Sequence, residues 1–181
     1  MTETRSIVRA ALFAALIAAL GLVPRIDIPV AAGVPITAQT LGVMLAGLLL
    51  GPRAGAASVL LFLFVVALGA PFLSGGRGGI GVFFGPTAGY LAGWIFGAAA
   101  CGFLMQKLPI KAVFVRALIA ALIGGVVVIH LFGVPYLAFA ARLTFEKAFI
   151  AGSVFVPGDI LKALLAALVA KSYFVSQAQR T

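Results

Sequence analysis

An all-α integral membrane protein, a bundle of six spanning helices in a single domain of residues 1–181, is the fold class that three observations predict. Hydrophobic residues make up 64% of the chain and charged residues only 9%. A soluble domain averages roughly 45–50% and about 25%. The apolar residues run in blocks separated by proline and glycine, at lengths suited to crossing a bilayer. The charges gather in the short connectors between those blocks. A net charge of +9 would suggest nucleic acid in a soluble protein. In this placement it reads as membrane orientation, and no nucleic-acid partner is expected.

Residues 5–23 form the first apolar helix. It is read as a retained span, because no small-residue processing site separates from it. Ala10, Ala14 and Ala18 make a small-residue stripe on it, and Ala11, Ala15 and Ala19 make its neighbour. Small residues four apart let a second helix approach, either within the bundle or from another subunit. Pro24 stops the helix. Residues 24–36 hold three prolines and one glycine, so they read as an ordered extended loop. Thr37 is placed as an N-cap for the second span, 38–50. Gly51-Pro52 breaks that short helix and starts the third, 54–70.

Pro71 ends the third span, and the stretch GGRGGIGVFFGPTAGYLAGWIFG follows from Gly75 to Gly97. Its first half is a glycine-rich loop carrying Arg77, either a flexible hairpin or a ligand lid. Its second half opens the fourth span, 86–105, with Gly85, Gly89, Gly93 and Gly97 as a smooth ridge. Cys101 continues that ridge, and packing is its expected role. The fifth span covers 110–132. Arg116 lies about 9 Å inside its start at 1.5 Å per residue and is expected to snorkel. Residues 133–156 read as irregular: GVPYL is a break, and a short surface helix follows. Pro157 opens the last span, 157–175.

Six spans place both termini on one side. With that side cytoplasmic, it holds Arg5, Arg9, Arg53, Lys107, Lys111, Arg116, Lys171 and Arg180. The other side holds Arg25, Arg77, Arg142, Lys147 and Lys162. The greater number of basic residues inside favours this orientation. The proline loop, the glycine loop, the 133–156 segment and the start of the last helix then face outward together.

Three features carry chemistry. Gly76-x-Gly78-x-x-Gly81 matches the dinucleotide-binding pattern in form, but a membrane helix precedes it instead of a strand, so a nucleotide site is not expected. In Pro157-Gly158-Asp159-Ile160-Leu161-Lys162, Asp159 and Lys162 share a helical face. Charges there belong to the bundle interior or a wet cavity, either as a structural pair or as a polar clamp on a ligand. In PITAQTL, the two threonines read as capping or back-bonding residues, whereas Gln39 offers a donor and an acceptor near the outer mouth. Tyr90 is one turn into the fourth span, as an interfacial residue or a pocket wall, and Trp94 lies one turn further in. His130 stands alone and reads as a satisfied interface residue. One histidine, one cysteine and four acids supply neither a recognisable metal site nor a nucleophile–base arrangement, so no enzyme activity and no cofactor are expected.

PITAQTL, GGxGVFFGPTAGYLAGW and PGDILK together resemble the BioY family, the biotin-specific substrate-capture subunits (S components) of energy-coupling factor transporters. The resemblance runs from Arg5 to the last helix. It implies the six-helix S-component fold in a bacterial cytoplasmic membrane and a biotin site near the outer surface, roofed by the first loop. It also implies a transmembrane coupling subunit and two cytoplasmic ATPases as partners, docked on small residues of the first helix: Ala10, Ala14 and Ala18, or their neighbours. Biotin's rings and ureido and carboxylate groups suit Gln39, Arg77, Gly79, Phe83, Tyr90, Asp159 and Lys162 as substrate-binding residues. Which cation meets which end of the vitamin stays open. No phosphate-binding GxxxxGK[ST] loop occurs in the chain, so energy for pumping is expected from the partner. The alternatives are an S component for another vitamin, or a membrane-embedded enzyme or assembly factor.

Overall fold

The computed structural model describes residues 3–27, 31 and 34–179. Arg180 and positions 28–30, 32 and 33 of the expected proline loop lie outside the described residues. Eight α-helices follow in order: α1 (Glu3–Leu20), α2 (Gln39–Leu50), α3 (Pro52–Ala67), α4 (Ala88–Lys107), α5 (Val113–Leu122), α6 (Ile129–Ala140), α7 (Phe145–Ser153) and α8 (Val156–Ala178). A π-helical segment, Ile123–Val128, joins α5 to α6 without a break. Ala88–Lys107 and the continuous Val113–Ala140 are each long and apolar enough to cross a bilayer. Helices α7 and α8 meet that test as a pair bent by 46°. Helices α2 and α3 are apolar but shorter, at 12 and 16 residues.

Helix α4 is the centre of the bundle, packed on α2, α3 and α6. Its glycines explain why. A Cβ on Gly89 would meet Phe132 O at 2.7 Å, one on Gly93 would meet Ile129 O at 2.8 Å, and one on Gly97 would meet Gly124 O at 2.8 Å. Only glycine lets α4 lie this close to the backbone of α6 and the π segment. Gly85 takes no part, because α4 begins at Ala88 and leaves it in the preceding loop. On the facing side, a Cβ on Gly124 would lie 2.6 Å from Cys101 Sγ, and one on Gly125 3.0 Å from Met44 Sδ. The extra residue of the π turn falls where two glycines allow it. Cys101 is fully buried in this contact.

Three expectations about local structure need correction. The GVPYL stretch is helical, with Pro135 inside α6. The proline withholds one backbone N–H, a loss that a membrane helix tolerates when its neighbours pack around it, and Tyr136 next to it backs onto Gly89. Thr37 does not cap α2: the N-cap is Ala38, with no side-chain bond. Of the two alanine stripes on α1, Ala10 and Ala14 are buried against the bundle and Ala18 is half-buried, whereas Ala11, Ala15 and Ala19 are exposed. Ala10 and Ala14, two of the expected docking residues, are thus buried where α1 packs on α2 and α3.

The bundle has two distinct ends. One gathers the α2–α3 turn, the α4–α5 connector and the end of α8, with the start of α1 close by. The other gathers the C-terminal end of α1, the start of α2, the 68–87 loop and the α7–α8 bend. Two short antiparallel bridges organise this second end. Ile26 and Ile36 exchange backbone bonds of 3.0 and 2.9 Å, and Leu73 and Arg77 exchange bonds of 3.0 and 3.1 Å. Among the described residues no strand precedes the GxGxxG glycines. Gly76 and Gly78 lie between α3 and a 3-10 turn, Ile80–Phe83, and Gly81 lies within that turn.

Candidate functional site

Helix α8 starts at the second end with Pro157 in its first turn and presents Asp159 to the interior, with its side chain only 5% exposed. A carboxylate at a helix N-terminus is favoured by the helix dipole. Lys162, one turn further on, donates to Asp159 Oδ1 at 2.8 Å and to Thr40 Oγ1 at 3.0 Å. Thr40 comes from the first turn of α2, and its hydroxyl in turn donates to Asp159 Oδ1 at 3.1 Å. These contacts fall on one carboxylate oxygen. Oδ2 keeps its acceptor capacity, and Lys162 keeps a third ammonium proton.

This triad forms part of the wall of a cavity of about 50 Å³. Tyr90, Trp94, His130 and Phe155 supply aromatic walls, and residues 34–37 and Arg77 close the outer side. Tyr90 stands edge-on to His130 and Phe155, with centroids 5.7 and 5.8 Å away. Its hydroxyl is buried without a hydrogen-bond partner among the described residues. Such an orphan is costly to leave; it lies beside Gly152, where an added Cβ would come within 3.1 Å of it. Both nitrogens of His130 face carbonyls instead, Nδ1 at 2.8 Å from Val126 O and Nε2 at 3.2 Å from Gly152 O.

Gln39, Arg77, Tyr90, Asp159 and Lys162 therefore come together around one cavity, whereas Phe83 and Gly79 are not in its lining. Gly79 has φ +82° and gives its N–H to Val66 O at 2.8 Å, which fixes the loop to the end of α3. Phe83 ends the 3-10 turn and packs on the main apolar core. Gln39 is only 1% exposed, and its amide is already engaged. Its Nε2 donates to Ile17 O and Phe72 O, each at 3.1 Å, and its Oε1 accepts from the Ser74 N–H at 3.0 Å. It straps the loop to α1 and α2. Gln39→Leu is expected to cost about 1–3 kcal/mol through unmet buried partners and to speed amide exchange at Ser74. Unchanged exchange there would contradict the strap.

Arg77 is half-buried and donates from Nε to Ser74 O at 3.3 Å. Burial and the nearby Arg25 hold its pKa below the usual arginine value, and Asp27 opposes them. Its guanidinium is thus suited to gain from an anionic group at the cavity mouth. Thr40, Trp94, His130 and Phe155 are among the wall residues that sequence reasoning did not assign. Thr40 had one usable signal: α2 is too short and apolar to carry an unpaired hydroxyl beside Gln39 without a partner on another helix.

The sequence pattern of the BioY family matches residues 1–178. The biotin transporter BioY of Rhizobium etli is 51% identical to this chain, over 96% of this chain and 95% of its own length. That of Rhodobacter capsulatus is 44% identical over 93% and 92%. The crystal structure of the S-component for biotin from an ECF-type ABC transporter superposes with a TM-score of 0.87 at 35% identity, covering 96% of this chain and 94% of that one. A match over nearly the whole length in sequence and in fold places this all-helical membrane protein in the BioY family.

Proposed function

We propose that the chain captures biotin in the cavity beneath the 68–87 loop and carries it across the membrane as the S component of an energy-coupling factor transporter. The observation that carries this reading is the Asp159–Lys162–Thr40 triad, buried in the wall of an otherwise aromatic and aliphatic cavity, with one carboxylate oxygen and one ammonium proton unspent. A ureido group has the matching set: N–H donors for Asp159 Oδ2 and a carbonyl for Lys162. Lys162 has already paired its charge with Asp159. The valerate carboxylate is therefore assigned to Arg77 at the mouth, and the ring to Tyr90, Trp94 and Phe155. The cavity, at about 50 Å³, is far below the roughly 300 Å³ of a small-molecule site. Admitting biotin requires residues 34–37 and the 72–77 loop to move outward and then close over it.

The reading includes six crossings, with α7–α8 as one bent span, and both termini in the cytoplasm of a bacterial inner membrane. Basic residues at the termini end support that orientation. The partners are a transmembrane coupling subunit and two cytoplasmic ATPases. The docking face is the exposed stripe Ala11, Ala15 and Ala19, flanked by Leu12 and Leu16. Ala15→Trp is expected to leave biotin binding intact while abolishing ATP-driven uptake by the reconstituted complex. Ala14→Trp is expected to impair both, because Ala14 faces the bundle. Unimpaired uptake with Ala15→Trp would reject the docking face. Calorimetric titration of the purified protein tests the substrate: biotin should bind, and riboflavin or thiamin should not. The opposite preference would overturn the assignment.

A further inference from the structure

The end of the bundle opposite the proposed vitamin site holds a second polar cavity, of about 330 Å³, between the α2–α3 turn, the end of α4, the start of α5 and the end of α8. Arg116 lines it, a turn inside α5, and its Nε is buried with no hydrogen-bond partner among the described residues. Neither of the ion pairs Arg25–Asp27 and Asp159–Lys162 engages Arg116. A guanidinium is always charged, and a buried N–H left unmet is costly. Gln106 adds an amide to the wall. Leu48, Leu50 and Phe174 add apolar surface, and no aspartate or glutamate is present among the described residues that line it. A neighbouring cavity of about 430 Å³ shares Leu50 and Gln106 and adds Arg53 and Ser6, again with no acid among the described side chains that line it.

We infer that this cavity binds a phosphate-bearing anion through Arg116 and Gln106. The Arg fork matches two phosphate oxygens, and the apolar wall beside it suits the glycerol of a phospholipid. Basic pockets between membrane helices are a recognised setting for anionic headgroups. The lipid headgroup and free phosphate offer the same group to Arg116, and the experiment separates them.

The full chain is placed in nanodiscs of phosphatidylcholine alone, of phosphatidylcholine with phosphatidylglycerol, or of phosphatidylcholine in buffer with inorganic phosphate. Lipid retained after mild release is counted by native mass spectrometry, and the thermal midpoint is recorded. The wild type should retain phosphatidylglycerol and melt at a higher temperature with it. Arg116→Gln should retain at least five-fold less, whereas Lys171→Gln, an exposed charge at the same end, should match the wild type. A rise in the midpoint with inorganic phosphate alone, lost in Arg116→Gln, would assign the site to the free anion and keep the proposal. No response to either anion would overturn it. So would undiminished retention in Arg116→Gln, or an equal loss in Lys171→Gln. If Arg116→Gln does not fold, Gln106→Leu, close in volume, should lose at least two-fold, and full retention in that variant overturns the site equally.

Discussion

Asp159→Asn should weaken biotin binding by about ten- to a hundred-fold, the loss expected when a hydrogen bond to a charged group worth about 1.5–3 kcal/mol is removed. Asparagine keeps the shape but presents N–H where the ureido N–H must be received. The same change strands Lys162 in a site where its side chain is only 14% exposed. Breaking one half of a buried pair costs about 3–5 kcal/mol of stability, so lost binding alone would be ambiguous. The double variant Asp159→Asn/Lys162→Met resolves this. Replacing both charges by neutral groups of similar volume is often close to neutral for folding, so the double variant should regain thermal stability without regaining biotin binding. Recovery of both together would mean that the pair holds the fold and does not touch the ligand. Glu146→Gln, at an exposed position on α7, is the control and should change neither.

Gly97→Leu should damage the fold severely. A Cβ there meets Ile129 Cγ1 at 2.7 Å and Gly124 O at 2.8 Å. The second contact is backbone, which cannot rotate away. Overpacking a close contact costs about 1–3 kcal/mol, and a leucine adds three further carbons in the same direction. The expected outcome is a lower thermal midpoint and poor recovery from the membrane. Gly81→Ala is the comparison. A Cβ at Gly81 meets nothing within 4 Å, and its stability should match the wild type. Equal behaviour of the two variants would mean that α4 is not held by close backbone approach.

Much of this arrangement was legible because a bilayer imposes hard rules. The apolar blocks between prolines and glycines marked most of the helices to within a few residues. The four-residue glycine spacing marked the face on which α4 packs. The expense of charge in an apolar helix singled out Asp159 and Lys162. What stayed hidden depends on contacts between distant parts of the chain. Thr40 reads as a capping residue until α8 is seen beside it, 119 residues later. Gln39 offers the right groups for a ligand, and nothing in the sequence says that Ile17, Phe72 and Ser74 already use them. Pro135 signals a break by local chemistry, but packing against Gly89 carries the helix through it. On α1 the two alanine stripes are equivalent in sequence, and only the position of α2 and α3 decides which one faces outward.

The central claim is that biotin sits in the α2–α4–α8 cavity with its polar end on the Asp159–Lys162–Thr40 triad. An experimental structure of the biotin complex tests it most directly. The account predicts the ureido ring within hydrogen-bond distance of Asp159 Oδ2 and Lys162 Nζ, the carboxylate on Arg77, and residues 34–37 displaced outward from their present position. Biotin bound elsewhere, or bound in this cavity with the triad's contacts unchanged and its ureido group on other residues, would contradict it.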